Sequence, residues 1–175
     1  MSKSASTSQT IQSLFSGAAA AGVLGTKALN AINVEDLGEQ IQAGLGVAPD
    51  DLTQSSEVTL VAELIDDSGS IRMGSNSQHV RDGHNLIISS LAGTKQRAGI
   101  IAHCRYLNGT VLYPFSRIED AVKMDTHNYN PVGGTPLYDQ SLVLLATVAA
   151  KCQEFANSGV PARAVIPLVT DGADE

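Results

Sequence analysis

Three short clusters of oxygen-bearing side chains stand out along this chain. Asp66-Asp67-Ser68-Gly69-Ser70 sets a carboxylate and two hydroxyls at alternate positions, Thr135 sits in the loop Gly133-Gly134-Thr135-Pro136, and Asp171-Gly172 follows an apolar run. Carboxylates and hydroxyls are the donors that a hard divalent cation takes. Mg²⁺ prefers near-octahedral oxygen at about 2.0–2.1 Å, keeps some water, and rarely accepts a full set of carboxylates. The combination of Asp66, Ser68, Ser70, Thr135 and Asp171 therefore suits Mg²⁺, with Mn²⁺ or Ca²⁺ as alternatives. Cys104 and Cys152 form no CxxC, and His79, His84, His103 and His127 show no metal-ligand spacing. Zinc is accordingly not expected, and both thiols are expected to be buried and reduced.

These clusters need strand ends to hold them. Residues 58–65 (VTLVAELI) are apolar almost throughout, as in a central strand covered on both faces. A helix is expected over 77–91, with Val80, Leu86, Ile87, Ile88 and Leu91 as its apolar candidates. Residues 98–107 form the next strand, Asn108-Gly109 signals a hairpin, and 111–115 is the antiparallel return. A short helix near 118–122 precedes the Gly-Gly-Thr loop. The long helix over 137–157 draws on Leu142, Leu145, Ala146, Ala149 and Phe155 for its buried face, and Ser158-Gly159 ends it. Residues 162–170 then read as a buried strand that delivers Asp171. This alternation implies an α/β fold, Rossmann-like and doubly wound, with a mainly parallel sheet and one antiparallel edge strand. Ligands of such sheets bind beyond the carboxyl ends of the strands, where all three clusters fall.

Upstream, residues 1–13 are small and polar and are expected to be disordered, and 14–52 form a helical extension. Leu37, Ile41 and Leu45 recur at spacing four, Gly44 and Gly46 offer a stop, and Pro49-Asp50-Asp51 is a turn. Residues 57–175 make the single main domain. The chain is 43% hydrophobic and 17% charged, with 18 acids against 11 bases and a net charge of −7. No basic run offers a phosphate-binding surface, which argues against nucleic acid. The apolar stretch over 18–29 is interrupted by Gly22, Gly25 and Lys27 and falls short of the roughly 20 residues that span a bilayer. A cytoplasmic protein without a membrane span is expected.

Taken in order, DxSxS after a strand, a Thr in a Gly-rich loop and an Asp in a strand-terminal Thr-Asp-Gly resemble the von Willebrand factor A (vWA) domain with its metal-ion-dependent adhesion site. The resemblance covers about residues 57–171. It implies that Ser68 and Ser70 contact Mg²⁺ through their hydroxyls and that Thr135 joins them in the ligand-competent state. Asp66 and Asp171 would act largely through water and hydrogen bonds. It also implies a partner protein that supplies an acidic side chain to the ion, and a working association with a ring-forming AAA+ ATPase of the MoxR type, in an intracellular adaptor of bacterial style. The rim expected to meet the partner is Arg72, Tyr129 and Gly134. Arg72 has the alternative of a solvated loop charge, Tyr129 that of a core residue.

Two departures matter. Ile71-Arg72-Met73 stand where many adhesion receptors carry further acids, so no adjacent second metal site is expected. Complete domains of the family also continue past the Thr-Asp-Gly strand, so a fragment, or a domain completed by another chain, is expected, with that strand as an apolar edge. Asp67 is expected to face solvent or to cap the following turn. The alternatives to a binding module are a metal-dependent phosphatase or phosphotransferase and a scaffold whose metal only locks loops. The enzyme is disfavoured because Ser68 stands where that chemistry needs a second Asp, and no GxxxxGK loop is present.

Overall fold

The computed structural model describes residues 37–52, 56–73, 75–134 and 136–172. The segment expected to be disordered, 1–13, lies outside the described residues, as do residues 14–36 of the helical extension. Of that extension, the helix α1 (Leu37–Leu45) is present, with Leu37, Ile41 and Leu45 buried on one stripe as their spacing requires. They pack against Val143, Ala146 and Ala150 of the long helix α3 (Leu137–Asn157). Gly46 ends α1 in the left-handed region at φ 57°, and a Cβ there would meet the Phe115 carbonyl oxygen at 1.9 Å. Only glycine allows the chain to pass so close to the sheet.

The sheet is built around β1 (Val58–Ile65). β2 (Ile100–Tyr106) pairs with it in parallel on one side, reached through the helix α2 (Asn76–Ala92). β3 (Val111–Arg117) returns antiparallel to β2 as the edge strand. On the other side β4 (Ala162–Val165) and β5 (Leu168–Val169) both run parallel to β1. The result is an α/β fold with a mainly parallel sheet, one antiparallel pair and helices on both faces. Period-two alternation divides β1 cleanly: Val61 and Ile65 face α2 and Ile88, whereas Leu60, Ala62 and Leu64 face Leu144 and Val148 of α3. Each of the buried Val, Ile and Leu side chains among them contributes about 1.5–3 kcal/mol of apolar burial. In β3 a register shift opposite β2 separates Tyr113, which faces α2, from Phe115, which faces α3. The shift falls at Pro114, which has no N–H for the ladder.

Three details differ from the sequence pattern. The strand expected over 162–170 is broken at Ile166-Pro167, because proline cannot donate to its neighbour. β1 nevertheless keeps its pairing, with Leu64 N donating to the Pro167 carbonyl at 3.0 Å and Asp66 N to that of Val169 at 2.9 Å. That strand is also not buried: Val165 and Leu168 are about half exposed. Finally, Leu86 and Leu145 point outward, because His84 and Ile88 define the inner face of α2, and Leu144 and Val148 that of α3. Among the described residues no helix is long and apolar enough to cross a membrane.

Candidate metal centre at the strand ends

Asp66 leaves the carboxyl end of β1 with its side chain fully buried. Both of its carboxylate oxygens are already held: Oδ1 accepts from the Ser68 backbone N–H at 2.8 Å, and Oδ2 from the Thr170 hydroxyl at 2.9 Å. Its carbonyl accepts a hydrogen bond from the Tyr129 hydroxyl. One residue thus ties the loop after β1 to the chain beyond β5 and to the segment before the Gly-Gly loop.

From Asp66 a relay of oxygen runs outward to the surface. The Ser68 and Ser70 hydroxyls lie 2.9 Å apart, and Ser70 Oγ donates to Asp171 Oδ1 at 3.0 Å. Ser68 is buried, while Ser70 and Asp171 are exposed. A single turn of 3-10 helix, Gly69–Arg72, sets the two serines on the same side. The Gly-Gly loop is fastened alongside: Val132 and Gly133 N donate to the Asp67 carbonyl at 2.9 and 3.1 Å, and Gly69 N donates to Gly133 O at 3.0 Å.

The structure therefore brings together Asp66, Ser68, Ser70 and Asp171. Thr135 lies outside the described residues, and Gly133 forms a bridge with Ser68. Arg72 and Gly134 are exposed at the rim. Tyr129 differs from the rim position expected of it: at 1% exposure it is a core residue whose ring packs at a tilt of 54° against that of Tyr106, with centroids 5.5 Å apart. Its hydroxyl is occupied by Asp66, a polar handle that a rim tyrosine would not need.

Asp67 is a second difference. It is buried rather than solvent-facing, and its Oδ1 accepts from Asn108 N at 3.0 Å. Burial holds its carboxyl above the usual carboxylate range, opposed by the Asn108 backbone N–H and reinforced by the neighbouring Asp66. The expected Asn108-Gly109 hairpin turn is what presents that N–H, with Gly109 at φ 89° closing it.

Sequence reasoning did not find Thr170, Tyr129 or Asn108 as supports of this loop. Thr170 was adjacent to a named site residue, the only clue available; the other two are supports only through packing. The donor set fits a hard cation: the buried Ser68 hydroxyl, the Ser70 hydroxyl and the Asp171 carboxylate at the surface, and the buried Asp66 carboxylate, whose oxygens orient the loop instead of filling the ion's shell. Comparison of the chain with family models, with curated proteins and with solved structures found no significant match.

Proposed function

We propose that the strand-end cluster is a Mg²⁺-dependent protein-binding site of the vWA kind and that the chain is an adaptor. The observation that carries this reading is the hydrogen-bonded series Ser68, Ser70, Asp171, which joins residues 101 positions apart at one surface. Ser68 and Ser70 would hold the ion through their hydroxyls, joined by Thr135, while Asp66 and Asp171 orient them. When bound, the ion supplies a Lewis-acidic position that attracts a carboxylate from the partner. Few formal charges border that position, because Asp66 is turned inward onto Ser68 N and Thr170. Arg72, exposed at the rim, adds a cation suited to an acidic partner. The resemblance extends the proposal to a ring-forming AAA+ ATPase as the neighbour and to a cytoplasmic setting.

The phosphotransfer alternative asks Asp66 to be a nucleophile. Its burial and its two engaged oxygens disfavour that role, since an attacking carboxylate must reach the substrate. The test is capture on immobilised chain from an extract. Retention of a partner in Mg²⁺, release by chelator and loss in Ser70→Ala are expected. Capture that is indifferent to both chelator and the substitution contradicts the proposal.

A further inference from the structure

Behind the strand-end site a cavity of about 320 Å³ lies between α2 and the sheet. Asn76, His79 and Asp171 border it at the surface, and the buried side chains of Glu63 and His84 line its floor. Glu63 and Cys104 are in register on β1 and β2, so their side chains stand side by side on the face toward α2. His84 reaches down onto them from the inner stripe of α2. All three residues are at most 2% exposed, and one ligating atom from each lies within 4.8 Å of the others.

The surroundings of this trio point to a ligand. A carbonyl can only accept, so His84 Nε2 carries the proton it shares with Val122 O at 3.0 Å, and Nδ1 is turned onto Glu63 Oε2. An imidazole whose far N–H is fixed by a backbone carbonyl is arranged as metal-ligating histidines are. Glu63 Oε1 is buried with no hydrogen-bond partner among the described residues. The Tyr113 hydroxyl, on the residue of β3 paired with Cys104, also has none. Glu63 is paired with His84 through Oε2, which leaves Oε1 as the uncompensated buried oxygen, a costly arrangement that a bound cation would relieve.

We infer that Glu63, His84 and Cys104 form a three-ligand site for a divalent transition metal of the zinc class, its fourth position open to the cavity. Mixed carboxylate, imidazole and thiolate donors select Zn²⁺ or Co²⁺ over Mg²⁺. Three protein ligands with a vacant fourth position are the pattern of zinc sites that accept water or a small ligand. Tetrahedral donors at bond lengths of ~2.0–2.3 Å lie about 3.3–3.7 Å apart, so the His84 and Glu63 atoms that share a short hydrogen bond separate on loading as the ion enters between them and Cys104. Burial, with Glu63 beside it, pushes the Cys104 thiol well up. Loading therefore displaces the thiol proton and the proton held between His84 Nδ1 and Glu63 Oε2, and both pass to the buffer.

The experiment is a titration of the metal-stripped full chain with Co²⁺, read by thiolate-to-cobalt charge-transfer absorption. Saturation at one equivalent, reversed by Zn²⁺, is expected. Cys104→Ser should abolish the band, Cys152→Ser should keep it, and His84→Gln should weaken binding about tenfold or more. Ser70→Ala should leave the titration unchanged, which separates this site from the Mg²⁺ proposal. A cooperatively melting chain without saturable absorption overturns the inference, as does a band that survives Cys104→Ser.

Discussion

Asp171 of the strand-end cluster and Glu63 and His84 of the buried trio border one cavity, yet the two groups are built from different donors at different depths. The first is oxygen only and ends on exposed Ser70 and Asp171; the second brings nitrogen, sulfur and oxygen together in the core. Position in the fold accounts for the contrast. Loops beyond parallel strands are free to carry polar residues into solvent, so exposed Ser70 and Asp171 bear no packing duty. Glu63 and Cys104 occupy the middle of buried strands, where a polar side chain is usually retained with a partner. An ion at the proposed first site would be chosen by charge and hardness, an ion at the proposed second by softness and geometry.

Substitutions should pull the two regions apart. The largest effect is expected for Asp66→Ala, which strands the Ser68 N–H and the Thr170 hydroxyl. Loss of about 3 kcal/mol in urea unfolding and loss of Mg²⁺ binding are expected, with far-UV dichroism retained.

A comparison of the two buried imidazoles comes next. His84 faces a carboxylate, but His103, on the opposite face near Arg105, has no side-chain hydrogen-bond partner among the described residues and only the Tyr113 backbone to favour its protonated form. Burial, with Arg105 adding, lowers His103 from 6.5 to about 3. Between those values the unfolded chain binds a proton that the folded chain refuses, so stability falls as pH drops below about 6.5. The slope is at most about 1.4 kcal/mol per pH unit. Urea melts at neutral and mildly acid pH should show it, and His103→Gln should flatten it.

Ser70→Ala should weaken Mg²⁺ about tenfold by calorimetry and change stability by no more than about 0.5 kcal/mol, because Ser70 is exposed. Tyr129→Phe is the mildest test. It removes the hydroxyl held by the Asp66 carbonyl and should cost about 1 kcal/mol while Mg²⁺ affinity changes little.

Most of the scaffold was legible in the chain because apolar periodicity and turn residues specify it. β1 over 58–65 and the long helix over 137–157 fall where the pattern placed them, and Leu37, Ile41 and Leu45 form the stripe their spacing implies. The outward turn of Leu86 and Leu145 was not legible, since apolar residues sit on more than one side of each helix and tertiary contact decides which is buried. At the site, Asp66, Ser68, Ser70 and Asp171 were readable as a set of oxygen donors in order. The inward turn of Tyr129 and Asp67 was not, because it depends on hydrogen bonds to Asp66 O and Asn108 N. The Glu63, His84 and Cys104 trio has no sequence spacing at all; only strand register and helix docking create it.

The most direct test of the central claim is calorimetric titration of Mg²⁺ into metal-stripped chain, run beside Asp66→Ala and Ser70→Ala. Saturable binding near one equivalent in the native chain, weakened about tenfold in Ser70→Ala and lost in Asp66→Ala, is the expected result. A cooperatively folded native chain that takes up no Mg²⁺, or binds it equally in all three forms, would contradict the account.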